Sequence, residues 1–209
     1  YLSANTNFWI VQTKLMKENL LTRFCIDNPE KIHVYPFYPQ VISSSKEESS
    51  RKKNCFLYVS TYNAHKNFEN LIKGFKLFYD NHKSGELHLT LKKDESDIIK
   101  KIKSLISDGY PIFNHGFVNN IKLKFLYRQS DFIVYPSLTE SFGLGIIEGI
   151  ENGCQVIGAD LPYTYSVCKP SITFKPKDIN SIFTAFEKTL GKKSIKKTEQ
   201  LVFNEIHSL

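Results

Sequence analysis

Apolar positions along the chain follow two alternating periods, most regularly from Phe56 onward. Short apolar runs read as buried strands: Phe56 to Val59, Leu87 to Leu91, Ile112-Phe113, Phe132 to Tyr135, Val156-Ile157 and Ile172 to Phe174. Between them, apolar residues fall three and four apart, the spacing of one helical face. Phe68, Leu71, Ile72, Phe75 and Phe78 form one such stripe, with Asn67 placed to cap it. Ile98, Ile99, Ile102, Leu105 and Ile106 form another; Ile121 to Arg128 and Leu144 to Glu151 are shorter helices. Ile179, Ile182, Phe183, Phe186 and Leu190 share a face behind the capping residue Asp178. This alternation predicts an α/β fold, a Rossmann-like doubly wound parallel sheet with helices on both sides. In such sheets ligands bind beyond the carboxyl ends of the strands.

Upstream, Phe8-Trp9-Ile10-Val11 reads as a short buried strand, Lys14 to Arg23 as an amphipathic helix, and Ile32 to Tyr35 as a second strand that Pro36 and Pro39 bring to a stop. The polar run from Ser43 to Lys53 has no periodicity and reads as a linker. Ser194 to Leu209 reads as a final helix with Ile195, Leu201, Val202 and Ile206 along one side.

Composition narrows the class. Hydrophobic residues make up 41% and charged residues 23% of the chain, as in soluble globular proteins. No apolar run approaches the roughly 18 residues of a membrane span. The start, Tyr1-Leu2-Ser3-Ala4-Asn5, lacks Met and the order of a signal peptide, which predicts an internal starting point. Four cysteines show no CxxC pair, and Cys55 and Cys154 lie in or beside apolar runs. Reduced core thiols in a cytoplasmic protein are expected. Six histidines form no HxxxH or His/Cys ligand cluster, so no metal site is expected. The formal charge of +7 suits phosphate ligands, an anionic membrane surface or nucleic acid. No nucleic-acid-binding signature supports the last.

Two strand-to-helix junctions carry candidate chemistry. In Ser60 to Asn67, Lys66 lies at a helix mouth, where free N–H groups and the helix dipole favour an anion. Taken alone, this junction reads rather as a surface lysine beside a capping asparagine. In Tyr135 to Glu148, Gly143 and Gly145 allow backbone N–H groups to approach a ligand closely. Glu140 on that loop and Glu148 about one turn inside the helix can reach one pocket. Carboxylates beside an anion site suit a ligand with hydroxyls next to phosphates. A capping glutamate and a solvated helical glutamate are the plainer reading of such a pair taken alone. Neither GxGxxG nor a Walker loop is present.

Glu140-Ser141-Phe142-Gly143-Leu144-Gly145-Ile146-Ile147-Glu148 resembles the E-x7-E motif of the retaining glycosyltransferases of family 4, the group 1 glycosyl transferases. The surrounding order is similar too. Phe56 to Val59 with His65-Lys66-Asn67 resembles the first strand and basic turn of that family's donor domain. Asn114 to Val118, Tyr127 to Asp131, Asn152 to Ile157 and Leu161-Pro162-Tyr163 match later segments. The resemblance covers roughly residues 55–190. It implies the C-terminal half of a GT-B enzyme: residues 1–40 end an acceptor domain and cross over, 41–54 link, 55–190 bind the nucleotide sugar, and 191–209 form a C-terminal helix.

The same resemblance implies roles. Lys66 would neutralise the diphosphate of a nucleotide-diphosphate sugar, and Glu148 would bind ribose hydroxyls. Glu140 would hold the donor sugar, with backbone N–H groups of Ser141, Phe142, Gly143 and Leu144 beside it. Gly116, Phe117 and Val118 would lie near the base. Transfer with retention to a glycan or lipid-linked acceptor in cell-surface polysaccharide synthesis follows, without metal or other cofactor. Two departures stand out: Ser60 where many members carry arginine, and Tyr165-Ser166-Val167 where many carry a glutamate. A sugar-nucleotide epimerase or phosphorylase, and a non-catalytic binding subunit, are the alternative readings. Lys188, Lys192, Lys193, Lys196 and Lys197 are a candidate contact with an anionic membrane.

Overall fold

Six strands, β3 (Lys52–Tyr58), β4 (Glu86–Leu89), β5 (Ile112–Asn114), β6 (Ser130–Tyr135), β7 (Gln155–Ala159) and β9 (Ile172–Phe174), join into one parallel sheet. Their order across it is β5-β4-β3-β6-β7-β9. The computed structural model describes residues 6–24, 26, 28–38, 51–92 and 96–204. Helices α2 (Phe68–His82), α3 (Asp97–Ser107), α4 (Asn120–Gln129), α5 (Leu144–Glu151), α6 (Pro162–Val167) and α7 (Ile179–Glu187) connect the strands. The doubly wound parallel sheet read from the alternation is present.

The two faces of the sheet fill by strand parity. Phe56 pairs with Leu87 and Phe132, so all three project to one face. There Phe56 meets Phe75, Phe78 and Phe186, with ring centroids 4.7–6.3 Å apart. The stripe Phe68, Leu71, Ile72, Phe75 and Phe78 is buried, as its spacing predicts. Burying each such side chain contributes about 1.5–3 kcal/mol. Helices α2 and α7 cross closely at Gly74, where a Cβ would lie 2.5 Å from Ile182 Cγ2. On the other face α5 seats Gly149 against Ile133, where a Cβ would come within 2.5 Å of Cδ1. Asp178 caps α7 as expected, accepting from the N–H groups of Asn180 and Ser181.

The smaller N-terminal unit is a βαβ piece. Strand β1 (Trp9–Val11) pairs parallel with β2 (Ile32–Val34), and α1 (Lys14–Phe24) connects them. The strands form as expected, but only Val11 of the first is buried, while Phe8 and Ile10 are exposed. Among the described residues this ribbon has only two strands, too few to cover both of its faces. Tyr38 ties the segment to the main domain, donating to Glu151 Oε1 at 2.7 Å.

Several expectations are corrected. First, β3 begins at Lys52 and so takes in part of the supposed linker; residues 41–50 of that linker lie outside the described residues. Strand pairing is a backbone property, and the exposed start of a strand accepts lysines. Arg51, just before it, is a clamp. Its guanidinium donates to the carbonyls of Tyr127, Ser130 and Asn152, at the C-terminal ends of α4 and α5. Second, residues 195–204 form no helix. They run extended, with β10 (Glu199–Gln200) antiparallel to β8 (Cys168–Lys169). Thr198 Oγ1 accepts from Val156 N at 2.8 Å, Gln155 Oε1 accepts from Thr198 N at 2.7 Å, and Leu201 N donates to Val167 O at 2.9 Å. These tertiary bonds outweigh local helix propensity. Ile206 and its neighbours lie outside the described residues. Third, Asn67 starts α2 with φ 56° and makes no side-chain cap. Leu91 also lies beyond the end of β4, and Ile106, expected on the buried stripe of α3, is exposed.

The Arg51 clamp gives a stability test. A guanidinium spans two helix ends that a single ammonium cannot. Arg51→Ala is expected to cost about 2–4 kcal/mol in urea unfolding, from charge-assisted bonds lost at carbonyls left behind. Arg51→Lys should recover less than half of that. Full recovery by lysine would show that charge alone, without the fork, does the stapling.

Candidate functional site

The chain builds β3, β4 and β5 outward in one direction, then returns through α4 to place β6 on the other side of β3. At this reversal the helices after β3 and β6 leave on opposite faces of the sheet. The two loops that lead into them border the crevice expected at such a switch point. They are the two junctions singled out in the sequence. Several buried polar bonds hold them together. Leu138 N donates to His65 O at 2.7 Å. Tyr58 OH donates to Lys66 O at 3.0 Å and lies 3.0 Å from Ser137 Oγ. Tyr163 OH donates to Ser137 O at 2.8 Å. Asn67 Nδ2 donates to Pro136 O at 3.1 Å and Pro176 O at 2.7 Å. Asparagine tolerates the left-handed backbone at this position, which frees its amide to bridge the loops.

Lys66 and Glu140 meet across the crevice, Nζ to Oε1 at 2.6 Å, with side chains only 16% and 10% exposed. The pair keeps two shielded charges from standing unpaired. Glu148 lies one turn inside α5, and Tyr127 OH donates to its Oε2 at 2.9 Å. Burial pushes the Glu148 carboxyl upward from its ordinary range; the Tyr127 bond pulls it down, and Glu151 adds a smaller upward push. Tyr135, buried at the end of β6, has its hydroxyl pushed well up by burial and then by Glu140, with Glu148 contributing less. One tyrosine thus senses both carboxylates.

The glycines divide the work differently from the reading of the loop. Gly143 takes φ 81° and turns the chain into α5. Gly145 faces inward, where a Cβ would lie 3.1 Å from Tyr135 Cε2 and 3.7 Å from Tyr127 OH. Its missing side chain makes room for the tyrosines. Phe142 is buried, its ring 5.9 Å from that of Tyr38, so only its backbone can serve a ligand. Ser141 is exposed and Leu144 is half-buried. Gly116, with φ 73°, Phe117 and Val118 follow β5, which β4 separates from β3. Lys66, Glu140 and the 141–148 turn therefore form one constellation, while 116–118 follow the edge strand, with β4 between it and β3. Tyr58, Asn67 and Tyr127 are the supporting residues that sequence reasoning missed; their partners are distant in the chain.

One grouping with metal-ligand chemistry arises from strand register. Cys55 pairs opposite Glu86, and the ligand atoms of Cys55, Glu86 and His88 all lie within 4.8 Å of one another. Each already has a partner. Cys55 Sγ faces Ser130 Oγ, Glu86 takes Lys52 and His88, and His88 Nδ1 is 2.9 Å from His115 Nε2. Cys55, Cys154 and Cys168 are free and buried, as expected for the first two. Burial pushes the Cys154 and Cys168 thiols up to about 12, which keeps them protonated and inert.

The chain belongs to the glycosyl transferases group 1, whose family model matches residues 41–204. It is 28% identical over 155 residues to the O-antigen chain mannosyltransferase RfbU of Salmonella typhimurium, covering 73% of this chain and 42% of that protein. It is 26% identical over 167 residues to the serotype-specific mannosyltransferase WbdA of Escherichia coli, covering 77% of this chain and 20% of the relative. The chain thus spans less than half the length of these curated relatives. TarM superimposes with a TM-score of 0.72 at 18% identity, over 92% of this chain and 38% of TarM. Sucrose-phosphate synthase from Thermosynechococcus elongatus gives 0.68 at 22%, over 91% and 51%. These structures support the GT-B form of the fold.

The loop-bridging amide is testable without any ligand. Asn67→Ala leaves the carbonyls of Pro136 and Pro176 without that donor, and a loss of about 1–3 kcal/mol in chemical unfolding is expected. Tyr127→Phe removes the bond that holds the Glu148 titration down. Carboxyl-carbon NMR should then place the Glu148 midpoint higher than in the parent; an unchanged midpoint would refute the assigned bond.

Proposed function

We propose that this group 1 glycosyl transferase chain is the nucleotide-sugar-binding domain of a retaining, family 4 glycosyltransferase. The observation that carries the reading is the meeting of Lys66 and Glu140 at the strand-order reversal, with Glu148 one turn inside the adjoining helix. Lys66 takes a diphosphate oxygen. An ammonium has three N–H donors, so it keeps Glu140 while serving a phosphate. This offsets the charge that develops as the nucleotide leaves. Glu148, with Oε2 held by Tyr127, accepts from the ribose hydroxyls through Oε1. Glu140 orients the donor sugar rather than attacking it. Backbone N–H groups from Ser141 to Leu144 add donors at the start of α5. Gly116, Phe117 and Val118 border the base.

The acceptor is a glycan or lipid-linked glycan in cell-surface polysaccharide synthesis, a reading supported by relatives named as an O-antigen chain and a serotype-specific mannosyltransferase. A mannosyl donor is therefore the first to test. No resident metal or other cofactor takes part in the proposed reaction. The enzyme works on the cytoplasmic side, consistent with three free buried thiols. Among the described residues no helix is long and apolar enough to cross a membrane.

Calorimetric titration with UDP- and GDP-sugars is expected to show one nucleotide class binding. Lys66→Ala and Glu148→Gln should each weaken it at least about tenfold, or about 1.4 kcal/mol. No binding by the folded chain would overturn the reading. The pH dependence has a definite sign. Glu148 must be ionised to accept two hydroxyls, so affinity falls as pH drops through its raised pKa. Stability runs the other way. A carboxyl whose folded pKa is raised lends stability below its unfolded pKa and loses it as pH rises through the folded value. At neutral pH the buried charge is therefore a cost. Glu148→Gln should melt no lower than the parent at pH 7 while losing the donor, which separates a binding role from a structural one.

A further inference from the structure

Helix α4 carries an outer face that neither the fold nor the proposed donor site uses. Leu126 and Tyr127 are buried against the sheet, with Leu123 partly packed beside them. At about 100° per residue, Ile121 and Phe125 fall about 40° apart on the opposite side. Ile121 is 83% exposed and Phe125 48%, and Phe117, just before the helix, is 90% exposed. Lys122 flanks this apolar centre on one side, its Nζ 4.8 Å above the Phe125 ring. Lys124 and Arg128 flank it on the other. No Asp or Glu occurs between Asp108 and Asp131, so the helix and the loop before it bring only cations of their own to this face, within a chain of net +7.

We infer that this face docks on an anionic phospholipid surface. Large apolar side chains between cations are the pattern of helices that lie at a membrane interface, where cations meet headgroups and apolar tips enter the acyl boundary. Protein interfaces, by contrast, are depleted in lysine. The helix also starts at the carboxyl end of edge strand β5, on the side of the sheet where the crevice opens. Docking there holds the crevice beside the bilayer. The lysines expected from the sequence to make this contact form a separate cluster near the C-terminus, where Lys192 and Lys193 lie among side chains the structure does not describe. The docking face uses neither Lys66, Glu140 nor Glu148 and shares only Phe117 with the donor-site reading, so its test rests on Ile121, Phe125 and the α4 lysines.

Vesicle co-sedimentation decides the matter, using phosphatidylcholine alone and phosphatidylcholine with about one-third phosphatidylglycerol, a fraction chosen to give the anionic surface that cations require. The parent chain is expected to partition onto the anionic vesicles only, and less so as salt screens the surface. Ile121→Ser/Phe125→Ser should reduce partitioning at least about tenfold. Lys122→Gln and Lys124→Gln should each reduce it about fivefold. Lys188→Gln/Lys196→Gln/Lys197→Gln should change it less than the Lys122→Gln/Lys124→Gln pair does. Matching melting curves confirm that the variants, all on exposed or partly exposed positions, remain folded. No partitioning by the parent overturns the inference, as does partitioning indifferent to the Ile121→Ser/Phe125→Ser change. Self-association without lipid binding, abolished by that change, would assign the face to a second copy instead.

Discussion

The parallel pairing of β3 with β6 is the constraint on which the rest of the structure depends. Phe56 opposite Phe132 and Leu57 opposite Ile133 set the register at the centre of the sheet. Because the chain arrives at β6 only after building β4 and β5, this pairing is the point where neighbouring strands send their helices to opposite faces of the sheet. Lys66 and Glu140 are far apart in sequence and meet only because their strands are adjacent. Slippage of β6 by one residue would exchange its two faces. It would also move Glu140 and the α5 turn away from Lys66. The aromatic cluster around Phe56 therefore protects the geometry of the crevice as well as the stability of the core.

Beneath the crevice lies a layer of tyrosines rather than aliphatic residues. Tyr58, Tyr127, Tyr135 and Tyr163 are buried, and burial raises the pKa of every one of their hydroxyls. They therefore remain protonated donors. An aliphatic layer would pack as well but would leave Lys66 O, Ser137 O and the Glu148 carboxylate without these partners. The ring supplies apolar area, and the hydroxyl fixes a polar group at the rim. Gly145 belongs to the same design, since any larger residue would press on Tyr135. The glycine in the motif thus serves packing, and Gly143 alone serves the turn.

The fold and the two loops were legible in the sequence because period, capping and glycine placement are local signals. Strand and helix order followed from apolar spacing, and Glu140 and Glu148 from their positions around a helix start. What stayed hidden depends on distant partners. Tyr127 reads as another apolar position of α4, and nothing nearby marks its bond to Glu148. Cys55, Glu86 and His88 have no ligand spacing in sequence and converge only through register. Arg51 looked like linker because its acceptors are carbonyls, which carry no residue identity. The tail misled for a similar reason. Ile195, Leu201 and Val202 suit a helical face, yet Thr198 and Leu201 find backbone partners across the sheet edge.

Charge acts here at two ranges that call for separate treatment. The net charge of +7 attracts phosphates and anionic surfaces from a distance, but salt screens such a field within about 8 Å at physiological strength. At the crevice the balance is different. Lys66 is matched by Glu140, and Glu148 lies close by, so the immediate site carries no excess of cations. A bare phosphate gains little from such a site. A ligand that brings phosphate and hydroxyls together satisfies the ammonium and the carboxylates at once. Under the proposed function that ligand is the nucleotide sugar, while further cations lie on α4 and along the C-terminal segment. On that reading, attraction and selection fall to different parts of one domain.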